Sequence, residues 1–207
     1  MKKNKKIEMW FSMGSTYTFL SVMRIRPLIE THNLNISFYP FNLRKIMKKM
    51  NNFPFSAEKE SKLNYMWRDI QRRSEKYKIG KITNNINFPI KNANLANKIA
   101  IYAKQHNFLL DYLETAYKLW FFENIEPGKI SSLRKTFKEI NQNLEKTLLN
   151  VNNVSNNNIY QTNTSLAFSK GLFGSPSFVI GEEIFFGDDR FEDAILFKKN
   201  KHTNKTE

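Results

Sequence analysis

The 207-residue chain contains no cysteine. Disulfides, thiolate metal ligands and dithiol redox chemistry by its own side chains are therefore excluded. Histidine is almost as scarce. His32, His106 and His202 are scattered, and His202 sits in a polar tail, which argues against a histidine-rich metal site, so no metal is expected. No apolar run approaches the ~20 residues of a membrane span. The basic start, Met1 to Lys6, lacks the apolar region and small-residue cleavage site of a secretory signal. A cytoplasmic protein with no membrane partner is the expectation. Acidic residues are in deficit, 19 against 33 Lys and Arg, for a net charge of +14. That charge reads either as a lysine- and asparagine-rich solvated surface or as a polyanion-binding face. The basic residues are spread along the whole chain, and the densest run, Arg44 to Lys49, lies among apolar residues. The solvated surface is therefore the reading adopted, with no nucleic-acid partner, although a small anion would still be attracted.

What is present is aromatic: 18 Phe argue against disorder and for a real core. The stretch from Met9 to Leu20 is the candidate for chemistry. Ile7, Met9 and Phe11 alternate with Glu8, Trp10 and Ser12, which predicts a strand over 7–13. Gly14 permits a sharp turn. Ser15 and Thr16 suit a helix N-cap, and Phe19, Leu20, Met23 and Leu28 carry an apolar helical face over 16–33. A kink is expected near Pro27. Such a strand-to-helix turn offers free backbone N–H groups and a positive dipole end to an anion, and Ser15 adds a hydroxyl. On this segment alone the plain helix cap is the favoured reading of Ser15.

Residues 35–41 alternate and read as a second strand, parallel to the first. Strand signals then stop for more than a hundred residues. Helices are predicted at Leu43 to Met50 and from Ser56 to Gly80, where Leu63, Met66, Trp67, Ile70 and Tyr77 share one face. Further helices fall near 93–106 and 108–122. Ser131 and Ser132 cap a short one, and 139–150 form another. Asn152 to Asn158 reads as a low-complexity connection. A helix over Ile159 to Lys170 precedes strands at 177–180 and 183–186, joined by a tight turn at Gly181-Glu182. A last helix runs through Phe191 and Phe197. Trp67, Trp120 and Phe186 read as core.

This order, βαβ, helical block, then α-β-β-α, is a thioredoxin-like α/β fold with a large all-helical insertion after the second strand. Residues 1–42 and 151–198 form the discontinuous thioredoxin-like domain, 43–150 the insertion and 199–207 a flexible tail. The motif Gly171-x-Phe173-Gly174-x-Pro176-x-Phe178 resembles the cis-proline loop of that superfamily, which leaves the Ser175 backbone open to pair with a bound peptide.

The whole chain, from about 7 to 197, resembles the 2-hydroxychromene-2-carboxylate isomerase family, related to kappa-class glutathione transferases. The anchors are Phe11-x-x-Gly14-Ser15-x-Tyr17, Lys62-x-x-Tyr65-x-x-Arg68-Asp69, the Gly171 to Phe178 loop, and Phe186-Gly187-Asp188-Asp189-Arg190. The resemblance implies glutathione as cofactor, an electrophilic or aromatic small-molecule substrate and a homodimer. It places Ser15 where thioredoxins carry a redox cysteine, so that glutathione supplies the thiol. It further implies Asn52 (or the adjacent Asn51), Lys62, Ser175, Pro176, Asp188 and Asp189 at the glutathione, with Asp189 pairing the ligand ammonium. Two positions depart from the family. Thr16 stands where proline is usual, and Asp188 where a small polar residue is usual. The expected activity is glutathione-dependent isomerisation or transfer. The alternatives are a non-catalytic glutathione- or peptide-binding module and a basic nucleic-acid-binding protein.

Overall fold

Strand β1 (Ile7–Phe11) is buried at every position but Glu8, which is half-buried. A strand apolar on both faces must sit inside a sheet covered on both sides. The computed structural model, which describes residues 6–52 and 59–203, places it there. The sheet order is β2-β1-β3-β4. Strand β2 (Ile36–Pro40) runs parallel to β1, with Met9 opposite Phe38. Strand β3 (Ser177–Ile180) is antiparallel to β1, with Met9 opposite Phe178. Strand β4 (Glu183–Phe186) completes the hairpin, with Phe178 opposite Phe185.

Side-chain alternation along β1 divides the interior in two. Ile7, Met9 and Phe11 enter the large core. Trp10 points the other way, into a smaller cluster with Phe41, Ile46, Ala167, Leu172 and Val179, where it stacks on Tyr39. The interior is closed by α1 (Thr16–His32), which lines the large core, and by the helices that follow β2, which divide between the two clusters, Ile46 and Ala167 entering the smaller one. Those helices are α2 (Leu43–Lys49), α3 (Glu60–Lys76), α4 (Ala93–Gln105), α5 (Leu109–Glu123), α6 (Ile130–Glu139), α7 (Leu144–Asn150) and α8 (Val154–Ser169). Among the described residues no strand interrupts them. After β4 come one 3-10 turn, Asp188–Arg190, and α9 (Phe191–Thr203). The thioredoxin-like arrangement with a helical insertion is the fold of this chain.

Local differences from the sequence reading have local causes. The start of the helix expected at Ser56 lies outside the described residues. That helix stops at Lys76, short of Gly80, because Lys78 turns left-handed at φ 56°. Ser131 and Ser132 do not cap a helix. They lie inside α6, whose N-cap is Lys129, and Asn143 caps the next helix by accepting from Lys146 N–H at 2.7 Å. The asparagine run is not a bare connection. Asn153 caps α8, and buried Asn156 donates to the carbonyls of Lys98 and Val151. Among the described residues, six of the seven non-glycine residues at positive φ are asparagines, several of them at helix ends. Asparagine tolerates that conformation better than other side chains, so its abundance shapes the helix boundaries.

Gly128 holds the approach of the α5–α6 loop to the start of α4. Its φ is +88°, and a Cβ there would sit 2.5 Å from the Asn92 carbonyl oxygen. Gly128→Ala adds backbone strain to a backbone clash and is expected to cost roughly 2–4 kcal/mol, well above the usual glycine effect. Urea denaturation measures it.

Candidate functional site

Ser15 is the N-cap of α1, at φ −89° and ψ 125°. Its N–H donates to Ser12 O at 2.9 Å, closing the turn after β1. Its Oγ accepts a long bond from Thr18 N–H at 3.4 Å and donates to the Ser175 carbonyl at 2.5 Å. The Ser175–Pro176 peptide is cis. Ser175 Oγ in turn accepts from Ser12 N–H at 2.8 Å and lies 2.9 Å from Thr18 Oγ1. The first turn of α1 and the proline loop, 160 residues apart, are thus laced together by three hydroxyls.

A second layer fixes this turn from beneath. Buried Asn97 on α4 accepts from Met13 N–H at 2.8 Å and donates to Ser12 Oγ and Tyr160 OH, each at 3.2 Å. The Tyr117 hydroxyl lies 3.3 Å from the carbonyls of both Ser12 and Ser15. Burial raises the Tyr117 pKa well above its ordinary value, so it stays a donor. The outer face of the turn packs against Ile90 and Ala93, 3.6 Å from where a Gly14 Cβ would stand.

The structure changes three sequence-derived positions. Ser175 does not present an open backbone. It is buried, and its carbonyl is taken by Ser15. Phe186 is not core: it is 45% exposed and meets Phe173, with ring centroids 4.7 Å apart. The reason is Gly174, where a Cβ would fall 2.0 Å from the Phe186 ring, so the ring lies directly over the proline loop. The Asp188 side chain does not reach the surface. It is 0% exposed, and its carboxylate is ion-paired with Arg73 at 2.9 Å without a well-formed hydrogen bond.

Asp189 is half-exposed and lies 3.5 Å from Arg73 and 3.6 Å from Arg190. Arg73 therefore gathers Asp69, Asp188 and Asp189. Tyr17, two residues after Ser15, donates to Asp69 at 3.1 Å. Burial and the Asp69 carboxylate raise the Tyr17 pKa, which keeps that proton in place. Burial also pushes Asp188 up to about 7, against the opposing pull of Arg73. Arg24 closes the cluster by donating to the Asp188 carbonyl at 2.9 Å and pairing with Glu192. Sequence reading missed Arg73, Arg24 and Asn97, each of which is an ordinary polar position on a helix until its partners are known.

Asn52 and Lys62 are exposed, on either side of residues 53–58, which lie outside the described set. Among the described residues no hydrogen bond links either side chain to Ser15 or Ser175. Among the described residues no cluster of three or more Asp, Glu or His could hold a metal ion, and no helix is long and apolar enough to cross a membrane.

Residues 6–194 match the DSBA-like thioredoxin domain family. A 2-hydroxychromene-2-carboxylate isomerase of Sphingobium xenophagum is 22% identical over 189 residues, covering 91% of this chain and 95% of the relative. A solved structure of 2-hydroxychromene-2-carboxylate isomerase superposes with a TM-score of 0.81 at 19% identity, covering 97% of this chain and 98% of the other. The cytosolic disulfide reductase DsbM from Pseudomonas aeruginosa, solved with GSH, superposes with a TM-score of 0.66 at 11% identity, over 96% and 99% of the two chains. At these identities the structural likenesses speak to the fold.

Proposed function

Because this chain belongs to the DSBA-like thioredoxin domain family and has no cysteine, we propose that it is a glutathione-dependent isomerase of the 2-hydroxychromene-2-carboxylate isomerase type. A thioredoxin-like protein without a thiol cannot exchange disulfides itself, and in this reading a small molecule supplies the thiol. The observation that carries the reading is the Ser15 hydroxyl, set at the start of α1 opposite the Ser175–Pro176 loop. The names of the full-length relatives support isomerisation. Glutathione, when bound, would supply the thiolate that adds to a conjugated carbonyl, allows rotation and leaves.

The chain's own residues would prepare that sulfur. Ser15 Oγ–H has one proton, which rests on the Ser175 carbonyl. Turning it outward gives a donor to an anion, backed by the dipole of α1. Tyr117, Asn97 and Thr18 hold the turn while the hydroxyl changes partner. Asp189 is half-exposed and suits the ligand ammonium, at the cost of easing from Arg190. Asp188 would serve by fixing Arg73 rather than by contact. Asn52 and Lys62, both exposed, would take the remaining polar groups. A bond held from Ser15 to Ser175 throughout would leave a non-catalytic glutathione-binding module, which is the second reading.

Calorimetry with reduced glutathione and thiolate absorbance near neutral pH test both readings. Ser15→Ala is expected to raise the pKa of bound glutathione by about one to two units, the worth of one hydrogen bond to an ionised group. It also removes a cap and leaves the Ser175 carbonyl unpaired, so it should cost roughly 2–3 kcal/mol of stability. Asp189→Asn should weaken affinity and leave the thiolate pKa in place. Binding with an unchanged thiolate fraction in Ser15→Ala supports the binding module. No binding by the wild type overturns both.

A further inference from the structure

A cavity of about 300 Å³ opens between the start of α2 and the start of α4, lined by Asn42, Arg44, Lys45, Lys48, Lys91 and Asn94. Four of its six lining residues are cations, and none is an acid. Among the described residues, none of the four has an ion-pair partner. Elsewhere the protein pairs its arginines readily, as Arg24, Arg26 and Arg73 do. A carboxylate at the Lys91 backbone, Glu126, is turned inward, where it is 3% exposed, accepts from the Lys91 N–H and pairs with Lys129. An acid that could have neutralised Lys91 is spent on its main chain.

Hydrogen bonds fix the asparagine and arginine part of this cavity's wall, beside three exposed lysines. Asn42 Nδ2 donates to Asn94 Oδ1 at 3.1 Å, joining the two sides. Tyr160 OH donates to the same oxygen at 3.1 Å. Asn42 Oδ1 accepts from Lys45 N–H at 3.0 Å. Arg44 donates one N–H to the Ile90 carbonyl, which anchors its guanidinium and leaves its other donors available. With two donors on its oxygen, the Asn94 amide is oriented, and its Nδ2 keeps both hydrogens without a partner among the described residues. The cavity therefore offers a positioned amide donor, an anchored guanidinium and three ammonium groups, with acceptors satisfied internally.

We propose that this cavity binds a phosphoryl dianion, either inorganic phosphate or the phosphoryl group of a small metabolite, outside the Ser15 site. A planar carboxylate accepts in one plane, whereas a tetrahedral oxyanion accepts from several directions at once. Three cations stand on the Asn42 to Lys48 wall and one on the Lys91 to Asn94 wall, which suits the second geometry. The volume admits a phosphoryl group with a small attached body and not a folded partner. The overall charge of +14 raises the local anion concentration without fixing where it lands; the cavity does that.

Calorimetry with inorganic phosphate, inorganic pyrophosphate and sulfate, at constant ionic strength near 0.15 M, tests the assignment on the full chain. Saturable binding of one phosphate or pyrophosphate per chain is expected. Lys45→Gln with Lys91→Gln should weaken it about a hundredfold, roughly tenfold per cation. Lys138→Gln with Lys146→Gln, the same charge change on exposed residues elsewhere, should leave it unaltered. Tighter pyrophosphate than phosphate identifies an esterified phosphoryl group as the natural occupant, and the reverse order identifies inorganic phosphate; both support the site. Equal loss in the two double variants reduces the effect to net charge and overturns it. So does absence of saturable binding, or binding only of a single-stranded oligonucleotide with a steep salt dependence. Glutathione binding is read separately, so this proposal and the Ser15 assignment fail independently.

Discussion

Arg73→Ala is expected to destabilise the folded chain by about 2 kcal/mol at pH 8 and by about 1 kcal/mol or less at pH 5. The difference comes from Asp188. Its side chain is 0% exposed, and Arg73 is the cation 2.9 Å from it. Burial raises the Asp188 carboxyl to about 7 even with Arg73 and Arg24 pulling the other way. In the unfolded chain the same group ionises near 4. Between those values the folded state holds a proton that the unfolded state has released. Wild-type stability from this group therefore falls as pH rises from about 4 to about 7 and is level above. Without Arg73 the folded pKa moves higher still, and the fall continues to higher pH. At pH 8, about one unit above the wild-type value, the variant must bury an unpaired charge or bind a proton against the solution, and the second route limits this added cost to about 1.4 kcal/mol. At pH 5 Asp188 is protonated in both proteins, and the variant loses the contacts of Arg73 with Asp69, Asp189, Tyr77 and the Tyr17 ring. Urea denaturation at the two pH values reads this directly. Asp188→Asn should flatten the wild-type profile over the same window. An equal cost of Arg73→Ala at both pH values would mean that Arg73 acts by packing against the Tyr17 ring, 5.7 Å away.

Asn97→Leu is expected to cost roughly 3 kcal/mol and to loosen the Ser15 turn. Leucine keeps much of the volume and removes every polar contact. The Met13 N–H is then buried with no acceptor, at roughly 1–3 kcal/mol, and Ser12 Oγ and Tyr160 OH lose a donor. Met13 is two residues from Ser15, so the loss reaches the hydroxyl through the backbone. A thiolate pKa for bound glutathione that rises in Asn97→Leu, although Asn97 touches no ligand in the proposed complex, is the signature of a positioning role. Asn97→Asp, which keeps the acceptor for Met13, should recover part of that shift. Loss of stability with an unchanged thiolate pKa would confine Asn97 to the core.

Most of the architecture was legible in the chain. The alternation of Ile7, Met9 and Phe11, the hairpin at Gly181-Glu182, and the helical spacing of Met66 and Ile70 are local signals, because a strand or helix buries its own periodic face whatever lies opposite. Ser15 and Pro176 were legible for the same reason: a cap and a turn residue announce themselves within a few positions. Helix ends were less so. Asn33, Asn124 and Asn141 end helices in the left-handed conformation, and nothing in the asparagine-rich sequence says which asparagines do so.

What the sequence by itself determined is the sheet, the helical insertion, the absence of a protein thiol and the placing of Ser15 at a strand-to-helix turn. Tertiary structure alone decided what each polar group does there. Asp188 and Asp189 are adjacent acids in the chain, yet one is fully buried against Arg73 and the other is half-exposed. Ser15 and Ser175 are equally plain serines, and only their meeting makes one the donor to the other's carbonyl. Asn97 and Arg73 lie 82 and 58 residues from Ser15 and carry no motif. The physical reason is that hydrophobic periodicity is written in near neighbours, whereas the role of a polar group is set by burial and by a partner that the chain brings from far away.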